Sequence, residues 1–213
     1  YYASHEGKAN IYLAKLRLAA RPVSIGNRRE LFVDRHLIDR LEQAQLRLHA
    51  PRPAEPVLQF DKPWEGAFSG YTTVIQDQDR LHMYYRGLPI AGRDGTDTEV
   101  TCYAESNDGI VWTKPNLGIY EIQGTRKNNV VLSGQTPASH NFSPFLDRNP
   151  QASPQRRFKA LGGTSEGLIA FASPDGVHWK RMQQSPVFTQ GVFDSQNVSF
   201  YSESENCYLC YFR

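Results

Sequence analysis

The sequence predicts an all-β protein, a β-propeller made of four-stranded antiparallel blades, and three features support this prediction. Short runs rich in Tyr, Phe, Val and Thr alternate with turns, and the 213 residues include 16 glycines and 13 prolines. This composition favours strands and turns over helices. A hairpin motif, Ser-x-Asp-Gly-x-x-Trp, occurs at 106–112 and again at 173–179. Three segments with a common pattern begin at Phe68, Ala138 and Phe193, and such repeats indicate blades.

The first blade is predicted at about 66–115, the second at about 138–182 and the third from about 192. Strands of the first blade are expected at 70–76, 81–85, 99–105 and 110–113. Those of the second are expected at 141–146, 158–161, 168–172 and 177–180, and those of the third at 196–201 and 208–212. The Asp-Gly pair of each hairpin motif supplies the positive φ that a tight turn needs.

The residues before the first blade are less regular. Residues 1–29 are predicted to form a loosely ordered lead-in with a short helical stretch at 11–18. Residues 30–213 are assigned to the propeller, with two further short strands at 30–34 and 46–49. The chain starts with Tyr1, and its last apolar run, 207–213, is followed by no turn. We therefore expect the chain to be a fragment.

Charge and composition exclude several classes of function. The net charge is +2 and the basic residues are not clustered, which argues against a nucleic-acid partner. No apolar run approaches the ~20 residues of a membrane span, so no membrane partner is expected. Cys207 and Cys210 have C-x-x-C spacing in a strand pattern, where residues three apart point to opposite faces. We expect buried strand cysteines, no metal and no cofactor, and the sequence leaves the oligomeric state open.

The three repeated segments align without a gap, and each begins with polar residues. The equivalent sets are Ser69, Ser139 and Asp194, then Gly70, His140 and Ser195, then Tyr71, Asn141 and Gln196. Innermost strands of a propeller surround its axis. We therefore expect these three polar beginnings to meet around one site.

Two such hairpins on units of this length resemble the five-bladed β-propeller glycoside hydrolases, which include families 32, 43, 62, 68 and 117 and related phosphorylases. Segments 30–34, 63–66 and 193–197 make the chain similar to a bacterial branch near family 32. The resemblance covers about 30–213 and implies that about two and a half of five blades are present. It also implies hydrolysis of glycosidic bonds in an oligo- or polysaccharide at a central funnel, and a secreted or periplasmic location. A fragment of this size exposes sheet faces and the edge of its last blade, so we expect it to be poorly soluble or inactive alone.

The resemblance also implies where catalytic residues lie, because such relatives carry an acid on the innermost strand of each of the first three blades. Asp194 matches the third of these positions. The second is replaced by Ser139, His140 and Asn141, and the first strand has no acid nearer than Glu65. Asp194, Glu65 and His140 are therefore predicted to be catalytic. Substrate binding is predicted for Trp64, Arg86, Asn141, Ser195 and Gln196.

Each of these assignments has a structural alternative. Asp194 could cap its strand, Glu65 could be an exposed loop acid, and His140 with Asn141 could pack between blades. Arg86 could be a repeated structural arginine. For the whole protein, the alternative to a glycosidase is a non-catalytic carbohydrate-binding propeller, and a third possibility is a structural or protein-binding propeller, since fold alone does not determine function.

Overall fold

The computed structural model describes residues 2–5, 9–12, 24–26, 30–31 and 34–213. The chain divides into two units, residues 1–54 and 55–213. Within the described residues, no helix is long and apolar enough to cross a membrane.

The first unit contains one antiparallel hairpin, formed by β1 (Tyr2–His5) and β2 (Ala9–Tyr12). Most of the predicted helical stretch 11–18 lies outside the described residues, as do two residues of the predicted strand 30–34. The predicted strand at 46–49 was wrong, because residues 46–49 form no regular element. Leu46 and Leu48 are 48% and 98% exposed, so this alternating pattern has no sheet or core to pack against.

The second unit contains three antiparallel sheets. The first holds β3 (Gly70–Asp77), β4 (Arg80–Gly87), β5 (Val100–Ser106) and β6 (Val130–Leu132). The second holds β7 (Ser143–Leu146), β8 (Phe158–Thr164), β9 (Gly167–Ser173) and β10 (Lys180–Arg181). The third pairs β11 (Val198–Ser202) with β12 (Cys207–Tyr211). Short 3-10 turns lie at Ala138–His140 and Pro154–Arg156. The prediction of an all-β protein with four-stranded antiparallel sheets is confirmed.

The fourth strand of the first sheet is not the predicted 110–113 but β6, far along the chain. The reason lies in the hairpin motif, where Asp108 Oδ1 accepts hydrogen bonds of 2.8 Å from the amides of both Ile110 and Val111. Those amides are not available to a sheet ladder. Of the predicted strand, only Thr113 pairs with β5. β6 is buried and takes the edge position instead.

The second sheet departs from the prediction for the same reason. Asp175 Oδ1 accepts from the amides of Val177 and His178 at 2.9 and 2.8 Å. The predicted strand 177–180 is therefore shortened and shifted to β10, which pairs with β9.

Aromatic side chains fill the space between the first two sheets. Trp179 of the second hairpin motif meets Phe142 and Tyr84 edge-on, with ring centroids 5.0 and 6.0 Å apart. Phe158 and Phe171 complete this core and are about 1% exposed or less. The first strands of the sheets are neighbours in sequence order, β3 beside β7 and β7 beside β11. This arrangement brings together the beginnings of all three strands.

Candidate functional site

The start of β3 and the segments that lead into β7 and β11, the first strands of the three sheets (hereafter the inner strands), meet through side-chain contacts. Tyr71 Oη donates a hydrogen bond to the backbone oxygen of Asp194 over 3.2 Å. Gln196 Nε2 lies 2.5 Å from Thr73 Oγ1. The ring of Tyr71 packs edge-on against His140, with centroids 5.4 Å apart. We call Tyr71, Arg86, Asp94, Glu99, His140 and Asp194 the strand-entrance cluster.

Arg86 is the cation of this cluster and projects from β4. Its Nη1 lies 3.1 Å from Asp94 Oδ1 and 3.4 Å from Glu99 Oε1. Its Nη2 donates to the backbone oxygen of Phe68 over 2.9 Å, and the guanidinium lies over the Tyr71 ring at 4.9 Å. These contacts fix the guanidinium within the protein and occupy much of its capacity to bind a ligand.

His140 lies against the buried acid of the cluster. Its Nδ1 is 2.9 Å from Glu99 Oε1 and 3.1 Å from Arg86 Nη1. Glu99 is 1% exposed, and its second oxygen accepts from the backbone amide of Gly95 over 3.0 Å. Glu99 and His140 therefore hold each other in one orientation.

The same residues include a set of donors for a metal ion, since one ligand atom each from Asp94, Glu99 and His140 lies within 4.8 Å of the others. However, Arg86 Nη1 is within hydrogen-bonding or ion-pair distance of all three donor atoms. The guanidinium thus takes the position that a metal ion would need. A metal ion could bind only after displacing Arg86, so these residues fit a metal poorly.

Asp194 is one of two exposed carboxylates of the cluster, with its side chain 46% exposed, and Asp94 is the other, at 61%. Its Oδ1 pairs with Arg213 Nη1 at 2.9 Å, and Ser195 Oγ lies 3.5 Å away. Both ion-pair partners are exposed side chains, so solvent and ligands can reach the carboxylate. Such an exposed pair is weak and exchanges readily with a ligand.

Two of the six non-glycine residues with a positive φ in the described part of the chain lie at this place. Tyr71 has φ of 50° and Phe193, which precedes Asp194, has φ of 59°. Non-glycine residues adopt this left-handed conformation only when their surroundings over-determine it, and such residues cluster at functional sites. The register shift between Gly70 and Thr73 is the bulge that accommodates Tyr71.

Glu65 lies outside the cluster and is fully buried. Its oxygens accept from Tyr85 Oη and Lys114 Nζ at 2.6 Å each, and from the amide of Lys62 at 3.1 Å. Tyr85 precedes Arg86 on β4, and successive strand residues point to opposite faces. Glu65 is therefore on the face of the first sheet that is opposite to the cluster, and no ligand reaches it. Burial raises the pKa of Tyr85 well above its ordinary value, and the Glu65 carboxylate adds to this effect.

Trp64 belongs to the same buried network. It is 7% exposed, and its indole nitrogen donates to Asn129 Oδ1 over 2.9 Å. Trp64 offers no open ring face on which a sugar could stack.

Asn141 lies at the cluster, but its side chain is fully engaged with backbone groups. Its Nδ2 is 2.8, 2.6 and 2.8 Å from the backbone oxygens of Gly163, Phe193 and Ser195, and its Oδ1 accepts from the amide of Gly163. An Asn side chain has two donor hydrogens. Asn141 therefore connects the second sheet to the start of the third and has nothing left for a ligand.

Glu99 was not predicted at the site, although the sequence contains a signal for it. An acid that directly precedes the predicted strand residues 100–104, mostly apolar and β-forming, is expected to be buried, and a buried carboxylate requires a partner. The partners, Arg86 and His140, come from other parts of the chain, which no local pattern reveals.

Two cavities in the described part of the chain lie away from the cluster. One of about 230 Å³ adjoins the first hairpin motif, beside Arg80, Glu105 and Asp108. The other, of about 480 Å³, is lined by residues that include Tyr120, Trp179 and Arg181.

No protein-family model matches the chain, and no curated protein matches it. Among solved structures, the chain is similar to a glycosyl hydrolase from Bacteroides ovatus at 16% identity and a TM-score of 0.38, over 64% of this chain and 39% of that one. It is also similar to a protein from work on the GH130 family of mannoside phosphorylases, which contains glycoside hydrolases that target β-1,2 mannosidic linkages in Candida mannan. That match has 17% identity and a TM-score of 0.37 and covers 62% and 38% of the two chains. The chain spans less than half of either protein, and likeness at this level assigns neither family nor function.

Proposed function

We propose that the strand-entrance cluster binds carbohydrate and that the protein hydrolyses glycosidic bonds there. One observation carries the proposal: the beginnings of three inner strands place an accessible carboxylate, Asp194, and an imidazole, His140, around the ring of Tyr71. The hairpin motifs, which resemble those of propeller glycosidases, support carbohydrate as the substrate class.

Glycoside cleavage requires a proton donor at the leaving oxygen and a carboxylate that attacks the anomeric carbon or activates water. In this proposal Asp194 is the carboxylate, because it pairs with the exposed Arg213, whereas Asp94 and Glu99 pair with Arg86. His140, as the imidazolium, donates the Nε2 proton to the leaving oxygen, the proton of the attacking water passes to Asp194, and solvent restores both groups to their starting states. The Nδ1 of His140 is engaged by Glu99 and Arg86, so the proposal assigns the proton transfer to Nε2 of this side chain, which is 10% exposed.

In the proposal, the remaining predicted site residues hold the cluster and the neighbouring strands in place. Arg86 holds His140 and Tyr71 in place, and Gln196 fixes the start of the third strand through Thr73. Ser195 contributes its backbone oxygen to Asn141. Glu65 and Trp64 stabilise the opposite face of the first sheet.

The test is sugar release by the full-length gene product and its Asp194→Asn variant. We expect turnover to fall by about 10²- to 10⁴-fold, while affinity for the oligosaccharide is retained. Asp79→Asn is the matched control, because Asp79 is an exposed acid in the turn at the far end of β3. Unchanged turnover in Asp194→Asn would remove Asp194 from the mechanism.

A second candidate function is carbohydrate binding without cleavage. It is favoured by the chemistry of the strand beginnings, since only Asp194 among the nine aligned residues carries a carboxylate. Asp94 and Glu99 are already paired with Arg86. Tight binding of an oligosaccharide with no turnover by the wild-type protein would establish this alternative.

A further inference from the structure

Glu99 has a buried carboxylate whose role extends beyond its ion pair with Arg86. Its Oε1 lies closer to His140 Nδ1, at 2.9 Å, than to Arg86 Nη1, at 3.4 Å. Its Oε2 is held by the amide of Gly95 at 3.0 Å. The carboxylate is therefore fixed by the backbone and directed at the imidazole ring.

The hydrogen-bonding capacity of the neighbouring groups determines which ring nitrogen of His140 carries the proton. A carboxylate only accepts, a guanidinium only donates, and one ring nitrogen does one or the other. If Nδ1 accepted from Arg86, its lone pair would face the lone pairs of Glu99 at 2.9 Å. If Nδ1 carries the proton, it donates to Glu99, and Arg86 Nη1 still donates to Asp94 at 3.1 Å. In the second arrangement Glu99 Oε1 accepts from both His140 and Arg86, and no two lone pairs face each other.

We propose that Glu99 is a positioning residue that fixes His140 as the Nδ1–H tautomer and directs the lone pair of Nε2 into the strand-entrance cluster. The same contact stabilises the imidazolium that forms when Nε2 takes up a proton, as a buried carboxylate does in catalytic triads. The catalytic part of this inference rests on the proposed function. The tautomer itself does not, so the two can be tested separately.

The test is ¹⁵N NMR of the imidazole nitrogens, measured at a pH where the His140 ring is neutral. Nitrogens that carry a proton and nitrogens that carry a lone pair resonate far apart, and His140→Gln identifies the signals of this ring among the six histidines. The wild-type protein is expected to show a protonated Nδ1 and an unprotonated Nε2. A protonated Nε2 in the wild type would overturn the proposal without any further variant.

Two substitutions distinguish the effect of Glu99 on the His140 tautomer from the effect of Arg86. In Glu99→Met the acceptor is lost while the Arg86 donor remains at Nδ1, so His140 is expected to switch to the Nε2–H tautomer. In Arg86→Met the Nδ1–H tautomer is expected to persist. Glu105→Met is the matched control, since Glu105 lies at the other end of β5 and contacts Arg80 and Tyr103 instead. If Glu99→Met folds and keeps the Nδ1–H tautomer, Glu99 does not set it.

Sugar release by the full-length protein distinguishes this inference from the proposed function. Glu99→Met is expected to lower turnover and shift its pH profile, with a smaller change in KM. If the tautomer behaves as expected but the wild type releases no sugar, the positioning role stands and the glycosidase proposal fails. If the wild type releases sugar but has a protonated Nε2, the glycosidase proposal stands and the positioning role fails.

Discussion

Tyr71 and Asp194 are joined by a hydrogen bond of 3.2 Å from the tyrosine hydroxyl to the aspartate backbone oxygen. The contact connects the start of the first inner strand with the start of the third. Because Tyr71 also contacts Arg86 and His140 through its ring, it contacts all three strand beginnings. In this position Tyr71 has a left-handed backbone conformation, which is strained for a residue other than glycine.

Tyr71→Phe removes this hydrogen bond and keeps the ring. We expect the free energy of unfolding to fall by about 0.5–1.5 kcal/mol, measured by urea denaturation. Tyr211→Phe is the control, because Tyr211 is 65% exposed and its hydroxyl has no partner among the described residues. Equal effects of the two substitutions would show that the contact between strands contributes nothing to stability.

Glu65→Gln tests whether Glu65 contributes to stability or to catalysis. Lys114, whose side chain is 11% exposed, would lose its buried partner, and the free energy of unfolding is expected to fall by about 3 kcal/mol. Turnover per folded molecule should stay unchanged. The control is Asp61→Asn, which removes the exposed partner of the same lysine and should cost at most about 1 kcal/mol. Lost turnover at full stability would restore Glu65 to the catalytic residues that the sequence predicted.

The two hairpin motifs provide a matched pair of glycines. Gly109 and Gly176 have φ of 75° and 77°, so alanine costs about 1–2 kcal/mol of backbone strain at either position. An added Cβ would lie 3.2 Å from Leu81 at Gly109, but 2.5 Å from the Tyr84 hydroxyl at Gly176. Gly176→Ala should therefore destabilise the protein more than Gly109→Ala in urea denaturation, because Tyr84 must give up its 2.9 Å bond to the Gly176 oxygen. Equal losses would contradict this packing.

His82 predicts a dependence of stability on pH. Burial holds its pKa below the ordinary value of 6.5, an effect that Asp77 opposes and Arg80 reinforces. The unfolded chain therefore binds this proton more readily than the folded one. The contribution of neutral His82 to the free energy of unfolding is fully present above about pH 6.5. It is lost as the pH falls from there towards the lower pKa of His82 in the folded state.

The measurement is urea denaturation at pH 7.5 and 5.5. His82→Gln should lose less stability between these two conditions than the wild type does. His49→Gln, at an exposed position, should behave like the wild type. An identical pH dependence in His82→Gln would exclude His82 as the cause.

The parts of the fold that could be predicted from the sequence are those set by local chemistry. The Asp-Gly hairpins at Gly109 and Gly176 were found because the turn residues adjoin each other in the chain. Strand β6 was not found, because its place beside β5 depends on pairing across a long connection. The alignment of the three repeated segments predicted that their polar beginnings lie close together, and the structure places His140 and Asp194 in contact with Tyr71; their catalytic role stays a prediction.

The sequence was a poorer guide to which polar residues are free to bind a ligand. Glu65 and Asn141 were both predicted at the site, but burial and hydrogen-bond saturation depend on the tertiary structure. Glu99 was missed for the complementary reason, since its partners Arg86 and His140 lie on another strand and in a 3-10 turn far away in the sequence.

The role proposed for the strand-entrance cluster is to bind carbohydrate. The most direct test is a crystal structure of the full-length protein with the oligosaccharide that it retains most tightly on a glycan array. We predict a sugar residue in contact with Tyr71, with the Asp194 carboxylate and His140 Nε2 next to the same glycosidic bond. A sugar bound elsewhere, such as in the cavity beside Trp179 and Arg181, with the cluster unliganded, would contradict the account.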